Sequence, residues 1–130
     1  MLQIENANQF LSFAKLVQSG HNQLDAALTE DINLDDVLED LPMVGYGTDN
    51  GNMIKSGGYA GTFDGRFHTI TYHKVTNANV WGLFGNLSGI ICNLRVTGSI
   101  TTDNQYMASL VNTLDGGIIK NCESSVDIIM

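Results

Sequence analysis

A repeat of 28 residues constrains this chain more tightly than anything else in it. Gly82-Leu83-Phe84-Gly85 is followed by Gly89-Ile90-Ile91-Cys92-Asn93-Leu94-Arg95-Val96. A looser copy follows as Ser109-Leu110-Val111-Asn112 and Gly117-Ile118-Ile119-Lys120-Asn121-Cys122. In this register Gly89 falls over Gly117, Ile91 over Ile119, Asn93 over Asn121, Leu94 over Cys122 and Ile100 over Ile128. A fixed period of this length signals stacked structural units, each covering the apolar face of its neighbour. Each unit holds short β-runs of three to five residues, with Gly and Asn at corners that need left-handed or bulged backbone. The 130 residues are expected to form one domain.

The register also places the two cysteines, Cys92 and Cys122. Cys92 lies under Lys120, so the thiols are offset along neighbouring strands. Strand spacing and residue rise give a Cα separation of roughly 8 Å, beyond the usual disulfide limit of about 7 Å. Both are expected to be free, with Cys122 a small core residue.

Upstream of the repeat, Asn6 and Gln9 have the spacing of a helix capping box. Phe10, Phe13, Ala14 and Val17 follow on one apolar face, and Gly20 suits the position just past a helix end. A helix over 6–20 is expected to cover the open end of the stack, where apolar side chains and strand edges would otherwise be bare. Ala26-Ala27-Leu28 and Ile32-Asn33-Leu34 read as short strands around a polar turn. Residues 35–57 contain an acidic run, the single proline and several glycines, and read as a long excursion from the stack. Regular coils are expected over 58–130. Their aromatics Phe63, Phe67, Tyr72, Trp81 and Phe84 are expected to stack in the interior.

The formal net charge is −8, and all of the imbalance is local. Residues 16–54 carry Asp25, Glu30, Asp31, Asp35, Asp36, Glu39, Asp40 and Asp49 without a Lys or Arg. The remaining acids and bases cancel. A field of this sign repels nucleic acid and anionic membrane and attracts basic proteins or cations. The bland reading is a solvated loop that keeps the protein in solution. The functional one is an acidic binding surface of Glu30, Asp31, Asp35, Asp36, Glu39, Asp40 and Asp49. Direct contact with nucleic acid and insertion into a membrane are not expected, since no basic stripe and no apolar run of ~20 residues is present.

The residue patterns resemble the right-handed parallel β-helices of bacterial surface, adhesin-like proteins with GLUG-type repeats. Ile4-Glu5-Asn6-Ala7-Asn8-Gln9-Phe10 is similar to their capping helix, and Leu28-Thr29-Glu30-Asp31-Ile32-Asn33-Leu34 to their first coil. Gly61-Thr62-Phe63-Asp64-Gly65 with His68-Thr69-Ile70 follows their linking pattern, and Gly82-Leu83-Phe84-Gly85 matches the name-giving motif. Ser109 and Asn112 depart from it in the later copy. The resemblance implies an all-β fold, a short right-handed parallel β-helix of about three to four coils with an N-terminal capping α-helix. It informs fold more than function.

Catalytic chemistry finds little footing. Polysaccharide hydrolysis needs two carboxyls facing each other at ~5–9.5 Å, and the acids of the regular coils (Asp64, Asp103, Asp115, Glu123, Asp127) form no aligned pair in the repeat register. Arg95 falls over Glu123, as in a cross-strand ion pair. His21, His68 and His73 lie at no metal-ligand spacing. His68 reads as a coil-corner residue, and His21 as a complement to the helix C-terminus. Asp49-Asn50-Gly51-Asn52 lacks the alternating ligands of a calcium loop and reads as a turn. No catalytic residue, metal or cofactor is expected.

The leading expectation is therefore a non-catalytic protein-binding or scaffold module, a fragment of an adhesin-like surface protein. The bare apolar ending Ile128-Ile129-Met130 fits that reading and also suggests a homodimer through the C-terminal coil edge. The alternative is a complete small acidic inhibitor, phage-borne and anti-CRISPR-like, that mimics nucleic-acid phosphates and blocks a basic enzyme. Met1 and the lack of a secretory signal fit the alternative. A polysaccharide-active β-helix enzyme ranks last. The location follows the choice: cytoplasm for a complete inhibitor, cell surface for a fragment of an exported protein.

Overall fold

A computed structural model describes residues 1–45, 47–49, 52–54, 58–104 and 106–130. The chain winds as a parallel β-solenoid of about four turns, preceded by one short helix. The strands are β1 Leu2–Ile4, β2 Ala26–Leu28, β3 Ile32–Asn33, β4 Gly47–Asp49, β5 Asn52–Ile54, β6 Thr62–Asp64, β7 Thr69–Val75, β8 Val80–Trp81 and β9 Phe84–Leu87. They continue as β10 Ile90–Cys92, β11 Arg95–Thr101, β12 Tyr106–Met107, β13 Val111–Leu114, β14 Ile118–Lys120 and β15 Glu123–Ile129. The helix, α1, spans Ala7–Gln18. One wall of the solenoid is the sheet β1-β2-β6-β10-β14, and a second is β15-β11-β7-β3. The pairs β8–β12 and β9–β13 make up the rest.

The repeat register is realised residue by residue. Ile91 pairs with Ile119 and Cys92 with Lys120, while Ile100 pairs with Ile128 and Arg95 with Glu123. Arg95 Nε donates to Glu123 Oε2 at 3.1 Å. Inward rows alternate with outward ones as a strand period of two requires: Ile70, Tyr72, Val96 and Ile100 are buried. Gly98 pairs with Tyr72 at φ +127°. A β-carbon there would stand 1.7 Å from the Tyr72 carbonyl oxygen, so only glycine fits. Tyr72 donates its hydroxyl proton to the Ser109 carbonyl. Both cysteines are free, Cys92 buried and Cys122 partly so, and burial raises both thiol pKa values.

The helix forms where its spacing requires. Asn6 Oδ1 accepts the Gln9 N–H at 2.9 Å, and Gln9 Oε1 accepts from Glu5, one residue before the expected partner Asn6. Gly20 takes φ +116° past the C-terminal end, a conformation open to glycine. Phe10, Phe13, Ala14 and Val17 are all buried. The Phe13 ring meets Tyr59 and Phe63 at 5.5 Å each, and Phe10 meets Phe63 at 5.9 Å. Phe63 in turn meets Phe84 one turn on. The aromatic column begun by the helix thus runs into the coils.

Two expectations need correction. The segment 35–57 does not leave the stack at residue 35. Val37, Leu38, Leu41 and Val44 are buried in the common core. Val44 bridges to Phe84, and Tyr59 to Leu87. Asn86 donates its N–H to the Gly45 carbonyl and accepts the Tyr59 N–H at its own. Gly45 and Tyr59 therefore occupy adjoining places under one strand, and the chain departs only between them. The antiparallel pair β4–β5 lies in that interval. Apolar residues at 37, 38, 41 and 44 bury themselves while the acids between them face water, so a charged stretch can still be a coil.

Phe67 is the second correction. The structure places Phe63, Tyr72, Trp81 and Phe84 inside, whereas Phe67 is 78% exposed. Its φ is +65°, and the left-handed corner turns its side chain outward. Asn93 and Asn121 take φ +55° at the equivalent corners of the next two turns. Asn93 Nδ2 donates to Asp64 Oδ1 at 3.1 Å.

Candidate functional site

Two surfaces present chemistry that the fold does not consume. The first is the acidic side of the first turn. Glu30, Asp31, Asp35, Asp36, Glu39 and Asp40 are all exposed. They nevertheless divide into two groups. Asp31 Oδ1 accepts the Thr69 N–H at 2.9 Å and faces His68 Nδ1 at 3.2 Å. Asp35 Oδ1 accepts the His73 N–H at 2.8 Å, and its Oδ2 faces His73 Nδ1 at 2.9 Å. These two carboxylates fasten the first turn to β7 of the second. The Thr69 and His68 hydrogen bonds hold Asp31 below the usual carboxyl range. Partial burial pushes Asp35 upward, but the bonds from His73 outweigh it and its pKa is also lowered.

Glu30, Asp36, Glu39 and Asp40 remain as an outward-facing group. Glu39 acts on Lys74, whose pKa burial lowers and Glu39 pulls back up. The Lys74 ammonium sits 5.6 Å over the Trp81 ring and donates to the Leu38 carbonyl at 3.5 Å. The side chain of Asp49 lies outside the described residues. Of the seven expected acids, two hold turns together. Four are exposed with no hydrogen bond to the next turn among the described residues, and of these Glu39 lies close enough to act on Lys74.

The second surface is the C-terminal end of the solenoid. The inner rows that are buried one turn below emerge here into solvent. Ile91 is 0% exposed and Ile119, directly over it, 40%. Ile100 is buried, and Ile128 over it is 47% exposed. Leu114, Ile118, Ile129 and Met130 are exposed beside them. Soluble monomers rarely expose contiguous apolar patches larger than a few hundred Å² unless they bind something there. The end also presents bare strand edge. Glu123 N–H donates to the Leu94 carbonyl, and the Ile129 carbonyl accepts from Thr102. Odd-numbered residues of β15 therefore point their backbone groups down to β11. Ser124, Val126 and Ile128, alternating with them, point theirs out of the end.

A smaller groove lies at the left-handed corner, lined by Phe67, Asn93, Leu94, Arg95, Asn121 and Glu123. Phe67 is the residue here that sequence reasoning missed. The 28-residue spacing would put Phe67 under Arg95, but Thr69 takes that place, and Phe67 falls at the corner beside Asn93, whose carbonyl accepts its N–H.

Among the described residues, no group of three or more His, Cys, Asp or Glu is placed to hold a metal ion, and no helix is long and apolar enough to cross a membrane. Comparison with protein-family models, with curated proteins and with solved structures gives no match for this chain.

Proposed function

We propose that this chain is a non-catalytic protein-binding or scaffold module, with its principal contact surface on the apolar side chains exposed in its last turn. The observation that carries this reading is the step from buried to exposed at equivalent positions, Ile91 to Ile119 and Ile100 to Ile128. An apolar row and a free strand edge together offer what β-augmentation uses: backbone hydrogen bonds for affinity and side-chain complementarity for specificity. In the adhesin-like setting that the GLUG resemblance implies, such an end would join this module to other protein surfaces. The test compares capture of protein from host extract by the 130-residue chain and by an Ile119→Lys/Ile128→Lys variant. Loss of a defined captured protein, with the circular dichroism spectrum unchanged, is the expected result. Equal capture by both would overturn the reading.

A second reading is favoured by one observation: Glu30, Asp36, Glu39 and Asp40 stand exposed on a turn anchored from beneath by Val37, Leu38 and Leu41. A carboxylate group on a stiff base can compete with phosphates for Lys and Arg, as an inhibitor of a basic nucleic-acid enzyme would. Capture that weakens with salt and is lost when these four become Asn or Gln would support it. Salt-insensitive capture would remove it.

A further inference from the structure

We propose that the corner groove beside Phe67 is a binding subsite for one ring of a neutral saccharide, stacked on the Phe67 face and held at its rim by Arg95, Glu123 and Asn121. The site is separate from the apolar last turn and goes beyond the protein-binding reading above. It begins with an irregularity in the coils. Cys92 pairs with Asp64 on one side and Lys120 on the other, and Arg95 pairs with Thr69 and Glu123. Asn93 and Leu94 join these paired positions in the third turn, and Asn121 and Cys122 join them in the fourth. The second turn needs Gly65, Arg66, Phe67 and His68 for the same step. The longer corner bulges outward, with Arg66 at φ +49° and Phe67 at φ +65°. Left-handed backbone is a genuine outlier for a bulky side chain. Gly or Asn suits it better, and Asn93 and Asn121 occupy the equivalent corners. A Phe that is strained and also 78% exposed adds nothing to the core, and strain of this kind gathers at functional positions. The strands flanking Phe67 have neighbours on both sides, so its exposure does not come from the last turn.

The surroundings of the ring select the ligand. Phe67 N–H donates to the Asn93 carbonyl at 2.8 Å, which fixes the bulge against the third turn. Arg66 turns away toward Gln3, with Nη1 3.4 Å from Oε1. Arg95 Nε donates to Glu123 Oε2 at 3.1 Å, and the two side chains are 58% and 63% exposed. That bond leaves the terminal guanidinium N–H groups and Glu123 Oε1 to pair outward. Asn121 is exposed beside them and adds an amide donor and acceptor. Planar polar groups along one side of an aromatic face match a sugar ring. Such a ring has C–H bonds on its face and, at its edge, hydroxyls that both give and accept hydrogen bonds. The charges of Arg95 and Glu123 cancel, so the groove offers an anion nothing in net. The −8 of the whole chain repels it. A neutral ligand is therefore selected over a nucleotide or a sulfated sugar. Volume sets the size. The groove holds about 110 Å³, well under the ~300–1,000 Å³ of a pocket that encloses a drug-sized ligand. It takes part of one ring, with the rest in water, and binding is correspondingly weak.

The experiment is an NMR titration of the isotope-labelled 130-residue chain with the methyl glycosides of glucose, galactose, mannose and N-acetylglucosamine. Each is taken to about 100 mM, far enough to reach millimolar dissociation constants. Saturable shifts confined to the amides around Phe67, Asn93, Arg95 and Asn121 are expected for at least one of them. Phe67→Asn puts at the bulge the residue type of the next two corners, so it removes the ring and keeps the turn. It should weaken that binding about tenfold, the worth of one aromatic contact. It should also leave the thermal midpoint equal or higher, since Asn accepts a φ of this sign. Arg95→Gln should weaken binding several-fold with the ring in place. No saturable shift with any of the glycosides overturns the proposal, as does binding that survives either substitution undiminished. A thermal midpoint that falls in Phe67→Asn also overturns it, by making the ring a packing element. Adenosine in the same titration is the last arm. If it binds more tightly than every glycoside, the ring belongs to a nucleobase and the saccharide assignment fails.

Discussion

The N-terminal and C-terminal ends of this solenoid face the same physical problem and treat it differently. Any stack of coils must stop somewhere, and at the stop its inner rows lose their next layer. At the first end the chain supplies its own replacement. Asn6 caps a helix, and Phe10, Phe13, Ala14 and Val17 sit where side chains of an earlier coil would be. At the last end Ile119, Ile128 and Leu114 meet solvent, and β15 offers half of its backbone groups to nothing in the same chain. The contrast teaches that a solenoid closes an end only with a dedicated element of different periodicity, since another strand merely moves the edge along.

That contrast can be broken or sharpened by experiment. The largest effect is expected at the closed end. Phe13→Ala should remove about 3–5 kcal/mol of stability, because its ring joins the helix to both Tyr59 and Phe63. Urea denaturation would measure it, and a loss under ~1 kcal/mol would mean that the helix is an ornament. The matched pair Ile91→Ala and Ile119→Ala comes next. The two residues are register partners, yet the first should cost about 2–5 kcal/mol and the second roughly 1 kcal/mol in the dilute chain. Equal costs under dilute conditions would mean that the last turn is covered even in a single molecule. A cost for Ile119→Ala that grows with protein concentration would instead report burial by association.

The smallest effect concerns the acidic side. Asp31 and Asp35 have folded-state pKa values below the ordinary carboxyl value, which is ~3.9 in an unfolded chain. Their contribution is present above that pH and is lost as pH falls through the lower folded values. Both carboxyls are exposed, so solvent screening limits each to no more than ~1 kcal/mol. The Asp31→Asn/Asp35→Asn variant should therefore show a flatter acid limb when urea midpoints are followed down from neutral pH. An unchanged slope would mean that the contacts with His68 and His73 do not fasten the turns.

Much of this architecture is legible in the sequence. The 28-residue register places Ile91 on Ile119, Ile100 on Ile128 and Arg95 on Glu123, although one turn earlier it slips, so that Thr69 and not Phe67 pairs with Arg95. The helix was legible from its cap and apolar face. The boundary of the excursion is not, because the charge of 35–45 masks the spacing of Val37, Leu38, Leu41 and Val44, which are buried. The exposure of Phe67 is hidden for a related reason. Aromatic character argues for burial, and the sign of φ at a corner, which decides where the side chain points, leaves little trace in residue type unless the residue is Gly or Asn. The acids of the first turn were visible as a set, but which of them hold the turns together depended on β7 passing beside them.

By itself, the amino-acid sequence determined the periodic winding, the capped beginning and the location of the negative charge, all of which follow from local spacing. Only the tertiary structure decided which carboxylates are engaged by His68 and His73, where the chain leaves the stack, and that the last inner row stands open. Those outcomes depend on what lies one turn above or below, a neighbour some 28 residues away whose presence no local pattern can guarantee.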